Sequence, residues 1–531
     1  MISAGAAAGA VPGGLPRYFK YRATYWHPHL YLLLFGAMPA RSFFTAGLLV
    51  TLAAGAAAGA AAGTAAGAPP AAGAPPAAGG PPAECLAAAE RACPRLLGDA
   101  CLLCAGRNYP ELRAAGCNDT SLEWACHHAS PAAGLAWLEA LSDWIVALDV
   151  GSGTLSEASR TCTPCTTLQD RSHIFVNGNL ARVLLATWRL QRGAGRPNAT
   201  LLEVGLAWCD SLCDQQAQIT TAKGNAGGFW GVGYPVVGPR GSIYFGDTGT
   251  AVTTLALGYH LSTNRTQQAR FLEVMERYAR FVLEGSEEPP PGKNGTCDGF
   301  VSPASAGIDA GAVGCGYYAH RPSVTPYTIA TGTTGGAFFS ELFAITGNPL
   351  YRDVVEGSIA YLARVVLASG EIPYILDGSN SSTAAPVASI GLWPYDTIAY
   401  DTEGILAAGL HFPEMNAKMV AQWRPTVDYL LRTQGPDGFW GALKSADLQR
   451  SPRVVSLLSW WTNATTQIRT GYLDVPATEA AGRYVAFLVA QGVGANEYGV
   501  GSATITSGMA GIAVADWLSL GASFGVGCAG C

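Results

Sequence analysis

The strongest constraint on the fold of this chain is a helical hairpin that returns along the sequence. It is clearest at 244–285, where Tyr244-Phe245-Gly246-Asp247-Thr248-Gly249 leads into an Ala/Leu-rich stretch ending near Tyr259-His260-Leu261. The turn Ser262-Thr263-Asn264 opens a second helix, whose apolar residues Phe271, Met275, Tyr278 and Val282 share one helical face. Each unit thus pairs a small-residue helix with an amphipathic one. Further copies start at Thr331-Gly332-Thr333-Thr334-Gly335, Asp401-Thr402-Glu403-Gly404 and Ser507-Gly508-Met509-Ala510-Gly511. Between copies a glycine precedes an aromatic or branched residue, as in Gly228-Phe229-Trp230-Gly231, Gly299-Phe300, Gly370-Glu371-Ile372 and Gly438-Phe439-Trp440-Gly441. A recurring unit of this kind cannot bury its apolar face alone, so its copies must stack.

Counting helices gives a closed set. Small-residue helices are predicted to start near Gly178, Gly249, Gly335, Gly404, Pro452 and Gly508. Amphipathic partners are predicted at 201–213, 268–283, 351–367, 414–431 and 477–490, and a helix at 132–148 supplies the sixth. Pro425 should kink or split the fourth partner. The expected architecture over 129–525 is all-α, a double ring of about twelve helices.

The residues before the ring read differently. From Met38 the chain has the pattern of a secretory signal: Arg41, an apolar run through Ala57, then small residues. A cleaved signal is favoured over an uncleaved anchor at 42–65, and only the anchor would bring a membrane into play. Residues 64–82 are Ala/Gly/Pro low complexity, so 1–82 reads as signal or anchor plus linker. Residues 83–128 hold Cys85, Cys93, Cys101, Cys104, Cys117 and Cys126, the density of a disulfide-stapled module. The Cys101/Cys104 pair lacks a second pair at zinc-finger spacing. All fourteen cysteines make an even count. Cys297 and Cys315 are expected to staple a loop, Cys162 and Cys165 to lie near Cys209 and Cys213, and Cys528 and Cys531 to tie down a tail at 526–531. Sequons at Asn118, Asn198, Asn264, Asn294, Asn380 and Asn463 add to a secreted, glycosylated reading. Charged residues make up only 13% of the chain and the net charge is −6, which argues against nucleic acid as a partner.

The connections between hairpins are unequal. Inner-to-outer turns are short, whereas the outer-to-inner stretches at 285–330 and 369–400 are long and should gather at one end, where a binding site is expected. They bring aromatic residues, among them Trp230, Tyr244, Trp393 and Tyr400, beside Asp170, His173, Asp247, His320, Arg321, Asp396, Asp401 and Glu403. Flat apolar faces next to carboxylates suit a sugar, and glycoside cleavage needs two carboxyl groups flanking one bond. Each residue also has a plainer role. Asp247 and Asp401 stand where N-caps belong, Glu403 where a first-turn acid balances the helix dipole, and Trp230 and Trp440 where they pack a repeat.

This alternation of inner and outer helices with glycine-aromatic connectors resembles the six-hairpin glycosidases, whose fold is the (α/α)6 toroid. The resemblance implies a carbohydrate-active enzyme acting on a poly- or oligosaccharide without cofactor or metal. In that superfamily catalytic acids stand near the starts of inner helices, which implies Asp247, Asp401 and Glu403. Asp247 and Asp401 are taken as the acid/base pair, with Glu403 in reserve and Asp170, His173, Trp230, Tyr244, His320, Arg321, Trp393, Asp396 and Tyr400 as substrate-binding residues. The adjacent Asp-Asp pair of the α-mannanase-like members is absent. A non-catalytic glycan-binding or structural toroid, and a sugar epimerase or lyase, are the alternatives on the same scaffold. The segment Gln434-Gly435-Pro436-Asp437-Gly438-Phe439-Trp440 also resembles the glutamine-tryptophan repeat of terpene cyclases, but no Asp-rich motif for protonating a polyene accompanies it. The cysteine block resembles small cysteine-rich modules of algal secreted proteins.

Overall fold

In a computed structural model of the protein, the described residues are 83–93, 98–127, 129–148, 174–229, 243–290, 292–318, 321–376, 388–389, 394–436, 438–441, 451–469, 474–494, 500–501 and 504–525. The cysteine block forms helices α1 (Ala83–Ala92), α2 (Gly98–Arg107), α3 (Tyr109–Ala114) and α4 (Asp119–His127) around a small core of its own. Disulfides Cys85–Cys117, Cys93–Cys104 and Cys101–Cys126 staple it, so Cys101 and Cys104 are bridge halves and not metal ligands. Three bridges in so short a stretch are the mark of an oxidising compartment.

Among the described residues twelve helices then alternate. Outer helices carry odd numbers: α5 (Pro131–Leu148), α7 (Ala199–Asp214), α9 (Arg265–Glu284), α11 (Pro349–Val365), α13 (Asn416–Thr433) and α15 (Val475–Gln491). Inner helices carry even numbers: α6 (Ile174–Gly193), α8 (Phe245–Leu261), α10, α12 (Pro394–His411), α14 (Val454–Ile468) and α16 (Thr504–Leu518). Helix α10 runs through Thr328–Ala330, a π-helical stretch Thr331–Phe338, and Phe339–Thr346. Each inner helix packs on the next, and α16 returns to α6, which closes the ring. Helix α5 lies against α16, α15 and α6 and so completes the outer layer. The fold is the (α/α)6 toroid.

The two layers differ as their sequences require. Helix α9 buries one stripe, Phe271, Val274, Met275, Tyr278, Phe281 and Val282, and leaves its other face wet. Helix α12 is buried on every face from Asp396 to Gly409, as a helix inside a ring must be. Inner helices touch through glycine. A β-carbon on Gly336 would lie 2.5 Å from the Gly404 Cα, and one on Gly178 would lie 2.9 Å from the Ala251 Cα. Neither distance leaves room for a side chain.

Those contacts correct the expected helix starts. Gly178, Gly249 and Gly404 do not open their helices. They lie four, four and ten residues past Ile174, Phe245 and Pro394, where neighbouring backbones come together. Pro425 does not split its helix either. Helix α13 runs unbroken through it, anchored by the buried Trp423, Thr426 and Val427 on each side. Outer helices start on caps: Asn198, Asn264, Asn348 and Asp474 each accept a hydrogen bond from the first turn of α7, α9, α11 and α15.

Short antiparallel strands fill the outer-to-inner connections: β1 (Ala217–Thr220) with β2 (Ala226–Phe229), β3 (Ile243–Tyr244) with β4 (Gly314–Tyr318) and β5 (Arg321–Pro326), and β6 (Ile375–Leu376) with β7 (Ala388–Ser389). The glycine-aromatic repeat proves to be a staple. Gln434 Nε2 donates to the carbonyls of Gly438 (2.7 Å) and Ala480 (2.8 Å), while Trp440 Nε1 donates to the Leu430 carbonyl at 2.8 Å and stacks on Tyr484. The residues that resemble a terpene-cyclase repeat thus tie α13 to α15. Cys209, Cys213 and Cys297 are buried thiols, so Cys297 does not form the expected staple. Cys162, Cys165, Cys528 and Cys531 lie outside the described residues, as does the candidate anchor. No described helix is long and apolar enough to cross a membrane.

Candidate active site

Successive helices run antiparallel, so all six inner helices begin at one end of the toroid, here termed the mouth. Their first turns are mostly uncharged. Among the described residues only two inner helices place an acid there: α8, with Asp247, and α12, with Asp396. Each is the third helical residue of its helix, where the positive end of the dipole favours a carboxylate. Asp247 is half-buried and Asp396 is 2% exposed. Tyr244, half-buried, sits at the N-cap position of α8. Tyr400 is buried, and its ring lies 5.5 Å from that of Phe175, an inner-ring contact between α12 and α6, which are not ring neighbours.

The other acids of α12 divide by the helical wheel. At about 100° per residue, Asp396 lies about 20° from Glu403 around the axis of α12, and Asp401 about 160° away. Glu403 faces the centre of the ring. Its Oε1 is 3.2 Å from Arg182 Nη1 on α6 and 3.4 Å from Arg453 Nη2 just before α14, and its Oε2 accepts from Thr250 Oγ1 on α8 at 3.1 Å. Arg453 Nη1 pairs in turn with Asp516 on α16 at 2.8 Å, and Ser456 donates to the same carboxylate oxygen. All four charges are fully buried and their sum is zero. Burial lowers the Arg182 pKa, with the Glu403 charge opposing that shift.

Asp401 lies instead against α10. A β-carbon on Gly332 would be 2.7 Å from its Oδ1, and its charge acts on the Tyr361 phenol of α11. Neither carboxyl oxygen has a hydrogen-bond partner among the described residues, and the side chain is fully buried. Burial, and then the Asp396 charge, hold its pKa well above the ordinary 3.8. Asp401 is the eighth residue of α12 and Glu403 the tenth, so neither is a cap or a first-turn acid. The expectation that Asp401 opens the fourth inner helix fails because Gly404 marks a packing contact and not a start. The position it was meant to occupy belongs to Asp396.

At the opposite end the ring is closed from below by residues 519–525. Arg182 Nε donates to the Ser523 carbonyl at 2.6 Å, and its guanidinium lies 4.3 Å over the Phe524 ring. Gly525 N donates to Glu341 Oε2 at 3.0 Å, while Glu341 Oε1 meets His411 Nε2 at 2.8 Å. Burial opposes the charge on Glu341, but His411, His260 and the Gly525 N–H together draw its pKa below the ordinary 4.5.

The structure therefore brings Asp247, Tyr244 and Asp396 to the mouth, sets Tyr400 and Glu403 below it, and turns Asp401 aside. Arg321 is the first residue of β5, opposite Tyr318. Asp170, His173, Trp230, His320 and Trp393 lie outside the described residues. Sequence reasoning missed Arg182, Arg453, Asp516 and Glu341. Their signal was present: charges within or beside small-residue, apolar helices of a weakly charged chain, with Glu341 and Asp516 the sole charged residues of α10 and α16.

No protein-family model matches the chain. No curated protein matches it in sequence. Solved structures do match in fold. One is the family 76 α-mannanase of Bacteroides thetaiotaomicron, 12% identical over 66% of this chain and 85% of that one, with a TM-score of 0.44. A second is an inactive variant of a family 76 α-1,6-mannanase from a Salegentibacter species, in complex with α-1,6-mannotriose; it is 9% identical over 73% of this chain and 99% of that one, with a TM-score of 0.45. A third is a possible member of glycoside hydrolase family 105 from Salmonella enterica, 12% identical over 73% and 94%, with a TM-score of 0.46.

Proposed function

We propose that the chain is a secreted carbohydrate-active enzyme of the glycoside hydrolase type, working at the mouth of the toroid with Asp247 and Asp396 as its two carboxyl groups. One asymmetry carries the reading. Among the described residues of the six inner helices, only the second and the fourth put an acid in the first turn. Dipole balance alone gives no reason to choose those two. Burial favours the neutral form of a carboxyl group. We therefore assign Asp396, the more buried of the pair, the role of acid and Asp247 that of base or nucleophile. Tyr244 beside Asp247 offers a flat face for a sugar ring. The cysteine block and its disulfides support a route through the secretory pathway, with the signal-like segment from Met38 as the leader.

The test is a turnover screen of the purified protein on α-mannans, neutral glucans and uronate-containing polymers. Hydrolysis is read as new reducing ends, and elimination as the ultraviolet absorbance of an unsaturated uronate. Asp247→Asn and Asp396→Asn should each abolish hydrolysis with little change in the urea midpoint. Glycan binding without turnover would instead make the toroid a binding module. Full activity in both variants would refute the assignment.

A further inference from the structure

The sequons are not equivalent in the folded chain. Five have a described asparagine, Asn118, Asn198, Asn264, Asn294 and Asn463, and all five are exposed. Two share a geometry the others lack. Asn198 Oδ1 accepts from Thr200 N at 3.1 Å, and Asn264 Oδ1 accepts from Thr266 N at 3.0 Å, so each bonds to the hydroxyl-bearing residue of its own sequon. In both, Oδ1 serves as the cap of an outer helix, while Nδ2 donates to no group among the described residues. The glycan-bearing atom and the capping atom are different atoms of one side chain, so a glycan costs neither helix its cap. Thr200 and Thr266 are themselves exposed. Asn463 differs, because its Thr465 is buried and donates to the Trp461 carbonyl. Asn348 caps α11 in the same way as Asn198 and Asn264, but Pro349 follows it and no sequon exists there.

We propose that Asn198 and Asn264 both carry N-linked oligosaccharides, on the closed end of the toroid. Outer helices begin where inner helices end, so the starts of α7 and α9 lie opposite the mouth. The two helices are packed against one another, with Gln267 and Arg270 near the start of α9 bonded to Asp210 near the end of α7. The donor is a lipid-linked oligosaccharyl diphosphate, used by a transferase of the secretory pathway. Nδ2 forms a bond to the anomeric carbon, the bond from that carbon to the diphosphate oxygen breaks, and Nδ2 loses one proton as the lipid diphosphate departs. The proposal rests on the secretory reading above. It goes beyond it by assigning the sites and the face: one end carries sugar and the other is left to receive it.

The full chain, purified from a eukaryotic secretory host, is deglycosylated with a peptide amidase in ¹⁸O-water and mapped by mass spectrometry. Labelled aspartate is expected at positions 198 and 264, and Asn348 stays unlabelled. Thr200→Ala and Thr266→Ala remove each sequon but keep the asparagine cap, so each should lower the mass by one glycan with an unchanged urea midpoint. Absence of label at either Asn198 or Asn264 overturns the proposal. Label at Asn118 or Asn294 in that event leaves the secretory reading standing, whereas reduced cysteines in α1–α4 would remove that reading as well.

Discussion

Replacing Glu403 with glutamine should damage stability far more than any role in binding sugar would require. The carboxylate is shared by Arg182 at 3.2 Å and Arg453 at 3.4 Å, and without it the two buried guanidinium groups keep the paired Asp516 and only the weaker influence of Glu341 on Arg182. At an effective dielectric of 20, a unit charge pair about 4 Å apart is worth about 4 kcal/mol. Breaking a buried pair by removing one partner typically costs about 3–5 kcal/mol, because an uncompensated charge is left inside. Glu403→Gln is therefore expected to lose about 3–5 kcal/mol, measured from urea midpoints at pH 7. The double variant Arg182→Met/Glu403→Gln should recover much of the loss, since it restores neutrality on the axis, and a double-mutant cycle isolates that coupling. A loss below about 1 kcal/mol for Glu403→Gln, or strict additivity in the cycle, would refute the picture of a neutral ion cluster at the centre of the ring. Loss of turnover in a variant of unchanged stability would return Glu403 to the catalytic set.

Asp401→Asn should raise the urea midpoint at pH 7 and leave turnover intact. A carboxyl whose folded pKa is raised contributes stability below its ordinary 3.8 that is lost as pH rises, so the gain should shrink toward acid; a lower midpoint at pH 7 would refute this. Gly336→Ala should cost at the upper end of the roughly 1–3 kcal/mol usual for overpacking, because its new methyl meets the backbone of Gly404. Gly193→Ala, with open space around it, serves as the neutral control, and equal midpoints for the two variants would contradict the close approach. Glu341 has a depressed pKa, so its contribution is present above about 4.5 and is lost as pH falls through the folded value. His260 is lowered chiefly by burial, and its contribution is likewise present above its ordinary 6.5 and lost on acidification. In an Asp401→Asn background, stability should fall monotonically from pH 7 to pH 4, and Glu341→Gln should flatten the lower part of that curve; rising stability would refute it.

The architecture was legible because a ring of hairpins repeats its pattern. Phe271, Met275, Tyr278 and Val282 fix the face of α9 without any knowledge of its neighbours. The inner helices were legible as existing but not as bounded. A glycine that lets two helices touch, such as Gly404 against Gly336, looks in sequence like one that opens a helix. That ambiguity moved the candidate acid from Asp396 to Asp401, further along the helix and on its far side. The ion cluster was hidden for another reason. Arg182, Glu403, Arg453 and Asp516 stand on four different helical segments, and no local pattern says that their charges will meet on one axis.

The seat of Ser523 under Arg182 bears on how the chain is made. The two residues are 341 positions apart. At roughly 5–20 residues per second, synthesis separates them by roughly 20–70 s. Throughout that interval α6 has no α16 beside it, and the growing arc of helices shows an apolar inner wall to solvent. The ring is a clasp that fastens only when its final residues arrive. Quality control of this protein in the cell therefore has to protect a half-built arc for tens of seconds.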